Sequence, residues 1–433
     1  MRRKRDFLLI FVVFLLGLSI RLYFAFQGSG LIGADGFFHN YLVSETVEHG
    51  AFPSSDPFSW GGREVRYFPG FHLLLSTILI STKIPTSLLF LAGPVFFFIA
   101  FLAIVSIARK QGISSLPLCA LFSTIPVLIW KTTTNLLPDS AVLFLLLISI
   151  FVTKSSELPI SAAILIGGSL IHPIFFVAYV PRIIESKSRA KLVGILATLA
   201  VSLLVLHFAG LRIPSDARQN VPSAMQDEIF EGVDFVKITY RLGPSLVPML
   251  LLFPENFLYF AAPLVPVLLK VIELDRGLFI SALFMMLVAG KFISRRKTFT
   301  QVLVISILFF WSFYSIRALS WAPVRQGDFN SLFWTSENTP RESTIITLPG
   351  DGYLVAYVAR RKNTIDGHFS GMSNSSRRLA DVTGALSSPE KYAASLNAST
   401  LVLTSRTAHV AISPEWKKLS ETGAAGGVFV YTG

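Results

Sequence analysis

Long apolar runs separated by short polar segments dominate the chain as far as about residue 320. The first run extends from Phe7 to Phe26 and follows the basic sequence Met-Arg-Arg-Lys-Arg. Runs of about 20 apolar residues are typical of membrane-spanning helices, and basic residues are enriched at their cytoplasmic ends. The pattern therefore predicts a cytoplasmic N-terminus and an external segment after Phe26. Further apolar runs lie at Leu88 to Ala108, Leu116 to Trp130, Asp139 to Val152, Ile160 to Ile184, Leu192 to Ala209, Leu242 to Ile272, Leu278 to Phe292 and Phe299 to Ile316.

Interruptions inside these runs decide the number of spans. His172-Pro173 divides one run, and Pro254-Glu255-Asn256 divides another. We therefore expect about eleven spans, with about nine as the alternative. The apolar stretch from Tyr67 to Thr82 begins with Pro69-Gly70 and is short, so we expect it to lie against the outer leaflet. Both counts leave the C-terminus outside the cell.

The pattern changes at about residue 321. Short alternating strands follow, such as Ser343 to Leu348, Leu401 to Thr404 and Val428 to Tyr431, with helix-like segments between them at Arg377 to Leu386 and Pro389 to Leu396. This arrangement predicts a small external α/β domain at 321–433 after a mainly α, polytopic membrane helix bundle at 1–320. The bundle would carry two external loops, 27–86 with juxtamembrane helices and 210–241, which is too long for an ordinary connection.

Composition supports a membrane protein. Hydrophobic residues make up 52% of the chain, charged residues only 15%, and the mean hydropathy is +0.61. The net charge of +12 comes mostly from basic residues between apolar runs, where they meet anionic lipid headgroups. We therefore expect a lipid bilayer as partner and no nucleic acid. The single cysteine, Cys119, excludes an intramolecular disulfide and a cysteine-based metal site.

Two acids stand out on the predicted outer face. Asp35 begins a helix-like segment just beyond the first span, and Asp139 begins another apolar run. A carboxylate at the bilayer surface is suited to remove a proton or to bind a hard divalent cation. An aspartate at a helix start is also a common cap that favours the helix dipole, so a structural role for each is the alternative.

Several short segments occur in a fixed order along the chain. They are Asp35-Gly36-x-x-His39, Glu48-His-Gly50, Phe52-Pro53, Asp56-Pro57, Tyr67-Phe-Pro-Gly-x-His-Leu-Leu74, Asn135-Leu-Leu-Pro-Asp139, Glu337-Asn-Thr-Pro340, Asp351-Gly-Tyr-Leu-Val-Ala-Tyr357, Arg361 and Asp366-Gly367. Together these segments resemble GT-C polytopic glycosyltransferases, and the outer loop is most similar to the catalytic subunit of oligosaccharyltransferases and its archaeal-type relatives.

The chain departs from that subunit at two places. Its tryptophan-rich acceptor motif is replaced here by Leu348-Pro-Gly-Asp-Gly-Tyr353. The second loop has one acid where the relatives typically have a close pair. Transfer of a single sugar and of an oligosaccharide therefore both stay open.

The resemblance implies transfer from a polyprenyl (dolichyl-type) phosphate sugar donor to an acceptor protein or glycan. Direct displacement with one carboxylate beside the acceptor would invert the configuration at the anomeric carbon. Asp35 and Asp139 would then be the catalytic acids, sharing Mg²⁺ or Mn²⁺ if a metal takes part. The departing phosphate needs cations, for which Arg241 and Lys131 are the main candidates. Further substrate-binding candidates are His72, His172 and Asp56.

Two other functions stay open. A transporter or flippase of lipid-linked sugars would also be polytopic, although transporters usually carry ionisable residues at mid-membrane depth. A non-catalytic relative would retain only the fold. Acids clustered on one outer face favour an enzyme that works at the membrane surface.

Overall fold

The structure is a computed structural model of the 433-residue chain. It groups the chain into two compact units, a helical unit (Met1–Phe24, Leu91–Leu211 and Glu228–Ser320) and a mixed unit (Ala25–Phe90, Arg212–Asp227 and Trp321–Gly433). The residues that it describes are 2–26, 34–65, 67, 69–132, 138–152, 164, 166–168, 171, 175, 235–242, 262–268, 274–318, 324, 326–367, 372, 374–405, 407, 410–421 and 427–431.

Long apolar helices make up the described part of the helical unit. Three helical stretches are long and apolar enough to cross a membrane, namely Asp6–Tyr23, Thr86–Lys110 and Leu274–Ser294. The helices are α1 (Arg2–Phe26), α4 (Ala92–Lys110, preceded by a 3₁₀ turn at Thr86–Leu91), α5 (Ser115–Thr124), α6 (Pro126–Lys131), α7 (Pro138–Val152), α8 (Phe235–Leu242), α9 (Val265–Leu268, preceded by a 3₁₀ turn at Ala262–Leu264), α10 (Leu274–Ser294) and α11 (Thr298–Ala318).

Proline and glycine determine two features of this bundle. The run predicted from Leu116 to Trp130 divides into α5 and α6, because Ile125 precedes Pro126 and adopts an extended conformation. Gly290 of α10 lets that helix approach α5 closely, since a Cβ there would collide with the Leu118 side chain. The core between these helices is built largely from Phe97, Phe101, Phe122, Phe279 and other fully buried apolar side chains.

Helices and short strands alternate in the mixed unit. Its elements are α2 (Ala34–His49), β1 (Ser55–Asp56), β2 (Arg63–Glu64), α3 (Gly70–Thr82), α12 (Gln326–Asn338), β3 (Thr344–Ile346), α13 (Gly352–Tyr357), β4 (Lys362–Asn363), α14 (Ser375–Ser387), α15 (Pro389–Leu396), β5 (Thr400–Leu403), β6 (Trp416–Glu421) and β7 (Gly427–Tyr431). Strands β1 and β2 form an antiparallel hairpin, whereas the other five strands form one sheet in the order β4-β3-β5-β7-β6. Strand β3 runs parallel to both β4 and β5, and β7 runs antiparallel to β5 and β6.

Aromatic side chains join helix α2 to helix α13 within the mixed unit. The Tyr41 ring of α2 stacks on Tyr357 of α13 with centroids 4.5 Å apart, and Phe38 lies 5.6 Å from Tyr353. Offset and edge-to-face ring pairs add stability beyond the area that they bury. Residues 34–64 are therefore an integral part of the same unit as the sheet.

Several sequence predictions coincide with observed elements. The three predicted C-terminal strands overlap β3, β5 and β7, and the two predicted helices overlap α14 and α15. Helix α3 has 13 residues, too short to cross a bilayer, and leaves Leu73, Leu74 and Ile78 exposed, as expected of a surface helix. The predicted loop 210–241 is wrong at its end, because residues 235–242 form α8. Apolar residues at positions 235, 238 and 242 give that segment one apolar face, which the interpretation as a loop missed.

Candidate functional site

Asp35 lies in the first turn of α2, and its side chain is exposed to solvent. A carboxylate there is stabilised by the positive end of the helix dipole. Its charge acts on a buried neighbour in the same unit: burial raises the pKa of the Tyr353 phenol, and the charges of Asp366 and Asp35 raise it further. Asp35 is thus an exposed carboxylate close to the buried Tyr353 side chain. A base that acts on an incoming acceptor has to be exposed in this way.

One turn after Asp35, His39 contacts His72 of α3. Its Nδ1 lies 2.9 Å from the Nε2 of His72, and both side chains are buried among aromatic rings that include Tyr67 and Phe71. One ring must donate and the other accept, so a proton lies between the two nitrogens. His72, predicted to bind substrate, is 0% exposed and serves here to pack α3 against α2.

Asp56 is part of a buried ionic cluster. Its Oδ2 accepts hydrogen bonds from Arg63 Nη2 at 2.6 Å and from the Tyr357 hydroxyl at 3.1 Å, and its Oδ1 accepts one from the Phe58 amide. Arg63 Nη1 donates to Asp366 Oδ1 at 2.7 Å, and Arg63, Asp56 and Asp366 all have almost fully buried side chains. These contacts make Asp56 a buried counter-ion of Arg63, and its role in substrate binding stays a prediction.

The electrostatics of this cluster explain how it can exist in an apolar setting. Burial alone would lower the pKa of the Arg63 guanidinium, but the carboxylates of Asp366 and Asp56 raise that pKa well above its usual range. Two carboxylates share one cation, and Asn363 adds a hydrogen bond to Asp366. A buried charge is tolerated when it is paired and hydrogen-bonded in this way.

Backbone bonds join the same two segments. The Asn363 amide donates to the Phe58 carbonyl at 2.8 Å, and the Trp60 amide donates to the Asn363 carbonyl at 2.9 Å. Ser59 therefore forms a parallel β-bridge with Asn363 of β4, at the edge of the sheet. The hairpin that carries Asp56 and Arg63 is therefore fixed to the edge of the five-stranded sheet.

In the helical unit, Asp139 pairs with Lys131. The Lys131 Nζ lies 2.5 Å from Asp139 Oδ2, and the two side chains are 5% and 3% exposed. The Ser140 hydroxyl also donates to the Lys131 carbonyl, so the end of α6 and the start of α7 are held together twice. Two residues predicted independently, one for phosphate binding and one for catalysis, are thus direct partners.

Arg241 ends α8 and is only partly buried. Its Nε donates to Asp275 Oδ1 of α10 at 2.7 Å. A donor phosphate would have to share or displace this carboxylate. His172, the remaining candidate, lies outside the described residues.

Asp351, the acid of the Leu348-Pro-Gly-Asp-Gly motif, is buried and hydrogen-bonded within the mixed unit. Asp351 is 0% exposed and accepts hydrogen bonds from the Thr404 amide, the Thr404 hydroxyl and the Thr407 hydroxyl, all at the carboxyl end of β5. Gly352 follows because a Cβ there would collide with the Ile365 carbonyl. These contacts give Asp351 a structural role, in which it holds the turn before α13 to the end of β5.

The metal prediction fits the contacts poorly at one of its two acids. Asp139 already neutralises an ammonium group, whereas Mg²⁺ and Mn²⁺ prefer several free oxygen ligands. Within the described ranges, the group of at least three potential ligands that lie close together is Glu45, Glu48 and His49, which includes neither Asp35 nor Asp139. That group is largely exposed, and Glu45 pairs with His49 at 3.3 Å.

Sequence reasoning gave no role to three charged residues that stabilise the two units, although Asp366 lies in one of the matching segments. Arg63 and Asp366 form the ionic cluster of the mixed unit, and Arg21 is fully buried in the first span. A lone arginine inside an apolar run was a visible signal for Arg21. Arg63 and Asp366 are 303 positions apart, so only the folded chain reveals their pairing.

Comparison with known proteins places the fold. Neither protein-family models nor curated protein sequences give a match. Among solved structures, the chain is similar to the Archaeoglobus fulgidus oligosaccharyltransferase tethered with an acceptor peptide containing the NVT sequon, with a TM-score of 0.63 and 13% identity over 93% of this chain and 69% of that one. It is also similar to ArnT from Cupriavidus metallidurans bound to undecaprenyl phosphate, with a TM-score of 0.55 and 9% identity over 99% and 97% of the two chains.

Both neighbours are GT-C glycosyltransferases, so the fold-level resemblance predicted from the sequence is confirmed. This fold and the apolar helices indicate a membrane protein. The number of spans and the orientation of the termini stay predictions.

Proposed function

We propose that this protein is a membrane glycosyltransferase that moves a sugar from a polyprenyl-phosphate donor to an acceptor at the external face. The observation that carries the proposal is Asp35, an exposed carboxylate at a helix start directly after a span, on a fold found in solved GT-C glycosyltransferases. A donor that is part lipid and part sugar needs a site at the bilayer surface, which is where this acid is predicted to lie.

The proposed reaction is a direct displacement. An acceptor O–H or N–H approaches the anomeric carbon, and Asp35 removes its proton as the new bond forms. The bond between the anomeric carbon and the phosphate oxygen breaks at the same time, and its electron pair leaves with the lipid phosphate. Attack from the face opposite the leaving group inverts the anomeric configuration. Asp35 touches the acceptor, so its loss should reduce turnover more than donor binding.

The leaving phosphate gains negative charge and needs cations nearby. Lys131 and Arg241 keep this proposed role, but each is held by a carboxylate of its own, Asp139 and Asp275. We therefore assign Asp139 the role of a counter-ion that positions Lys131. Whether Asp35 also binds a divalent metal is tested by running the transfer assay with and without Mg²⁺ or Mn²⁺.

The proposal is tested by incubating the purified full chain with a panel of polyprenyl-phosphate and polyprenyl-pyrophosphate sugars and peptide or glycan acceptors, with and without Mg²⁺ or Mn²⁺. We expect one donor class to give a glycosylated product of inverted configuration. A retained configuration would contradict the displacement mechanism. If every donor is bound but none is consumed, and the lipid-linked sugar instead changes leaflet in vesicles, the protein is a flippase.

A further inference from the structure

Arg21 is a fully buried cation inside an apolar span. It lies in the window Asp6–Tyr23 of α1, at the end away from the basic N-terminus, and its side chain is 0% exposed. Ionisable residues in such segments are rare, and those that occur usually mark a substrate or ion site. Arg21 is therefore the residue of the helical unit that most needs an explanation.

The contacts of Arg21 are all with neutral groups. Its Nε donates to Thr132 Oγ1 at 2.8 Å, its Nη1 donates to the Gly17 carbonyl at 2.9 Å, and the guanidinium lies 3.7 Å above the Phe97 ring. Among the residues that the structure describes, Nη2 has no hydrogen-bond partner, and neither has the Ser123 hydroxyl. Gly17 links the two side chains: its carbonyl accepts from Arg21 Nη1, and a Cβ on it would come within 2.8 Å of Ser123 Oγ.

The charges around this point do not balance. Thr132, the acceptor for Arg21, directly follows Lys131, whose charge is cancelled by Asp139. Among the described residues of this region, the cations Arg21 and Lys131 are both buried, and the carboxylate of Asp139 pairs with Lys131. The positive charge of Arg21 is therefore left without a carboxylate partner in the described part of the region. Buried charges in proteins are normally paired with an opposite charge. An unpaired guanidinium with a free N–H beside a free hydroxyl has the donor chemistry of an anion site.

We infer that Arg21 and Ser123 bind an oxygen of a phosphate monoester carried by a polyprenyl lipid. A guanidinium offers parallel N–H donors that match phosphate, and a serine hydroxyl adds a third donor. The same helix exposes Phe11, Leu15 and Leu16, an apolar surface along which the polyprenyl chain can lie. The identity of the lipid rests on the proposed function, whereas the anion site rests on the contacts of Arg21.

The test is ligand-dependent thermal unfolding of the detergent-purified full chain with farnesyl phosphate, farnesol or inorganic phosphate. Four single variants are compared with the wild type: Arg21→Met, Arg21→Lys, Ser123→Ala and, as a control, Arg109→Met at the exposed end of α4. Arg21→Met keeps the volume and removes the charge. Arg21→Lys keeps the charge and loses the forked geometry.

We expect farnesyl phosphate, but neither farnesol nor inorganic phosphate, to raise the unfolding temperature of the wild type and of Arg109→Met. Arg21→Met should bind farnesyl phosphate about 10- to 100-fold more weakly, since hydrogen bonds to charged groups are worth this much. Ser123→Ala should weaken binding about 2- to 10-fold, and Arg21→Lys should be intermediate. Without ligand, Arg21→Met should unfold at a temperature no lower than the wild type, because it removes an unpaired buried charge.

Unchanged farnesyl phosphate affinity in Arg21→Met would overturn the inference and leave Arg21 as a tether between α1 and Thr132. If Arg21→Met does not fold, Ser123→Ala decides the matter, and full affinity there overturns the site. Equal stabilisation by inorganic phosphate would overturn the lipid assignment while keeping the anion site. Phosphate-lipid binding through Arg21 without any sugar transfer would count against the proposed function and support this inference.

Discussion

Lys131 and Asp139 face each other at the junction of α6 and α7, with Nζ and Oδ2 separated by 2.5 Å and both side chains buried. Each of these two buried charges needs the other, because removing one partner leaves an unpaired buried charge, which destabilises the fold far more than the matched pair does. The same pair therefore stabilises this junction and positions Lys131, the residue proposed to bind the donor phosphate.

Lys131→Met should lower the free energy of unfolding by about 3–5 kcal/mol, since it strands the Asp139 carboxylate in an apolar environment. The double variant Lys131→Met/Asp139→Asn should regain most of that loss, because neither charge is then left unpaired. Chemical unfolding of the purified protein provides both values. The matched control is Lys362→Met, which breaks a pair with Glu342 at 2.7 Å. Because those two side chains are 36% and 80% exposed, this change should cost far less than Lys131→Met. Equal losses at the two sites would contradict the interpretation.

Arg63→Met should destabilise the mixed unit by about 3–5 kcal/mol, because Asp56 and Asp366 would lose their common cation. Amide hydrogen exchange should then accelerate in residues 55–64, the hairpin that this cation fixes to the sheet edge. Arg377→Met, at a pair with Asp381 that is 3.8 Å long and largely exposed, is the control and should leave exchange unchanged. Slow exchange of the hairpin in Arg63→Met would show that the backbone bonds alone are sufficient.

Because the phenol of Tyr353 is buried, we expect the protein to lose folding stability at alkaline pH. Burial, followed by the charges of Asp366 and Asp35, raises the pKa of its phenol well above the usual value of about 10. A raised pKa means that the stabilisation is complete below the unfolded pKa and is lost as the pH rises above it, by about 1.4 kcal/mol per pH unit for one group. Tyr353→Phe should therefore show a shallower decline of unfolding free energy above about pH 10. Parallel pH curves for the two proteins would contradict the assignment.

The predicted topology can be tested with cysteine labelling, because the single native cysteine, Cys119, is buried and should give little background. Ser376, exposed in α14, should become accessible to membrane-impermeant thiol reagents from outside when replaced by cysteine. Gln111→Cys, beyond the basic end of α4, should react only after the membrane is opened. The reverse pattern would invert the topology and place Asp35 on the cytoplasmic face.

The helices and the sheet could be predicted because they depend on local periodicity. Apolar runs set the limits of α1, α7, α10 and α11 to within a few residues, and alternation located β3, β5 and β7. The break between α5 and α6 was also visible in principle, since Pro126 lies within the predicted run. The helix α8 was missed because its one apolar face is short and lies in a polar segment.

The partners of the candidate residues could not be predicted, because pairing depends on distances that the sequence does not contain. Asp56 and Asp139 were recognised as acids of interest, but nothing in the local pattern indicated Arg63 or Lys131 as their counter-ions. The placement of Asp35 and Asp139 on one outer face stays a prediction.

The most direct test of the account is the transfer rate of Asp35→Asn under single-turnover conditions, with a polyprenyl-phosphate sugar that the wild type consumes. Asp35 is exposed, so the substitution should leave folding and most of the donor affinity intact. Loss of a general base should reduce the rate about 10²- to 10⁴-fold. A rate within about threefold of the wild type, with normal donor binding, would contradict the assignment of Asp35 as the catalytic base.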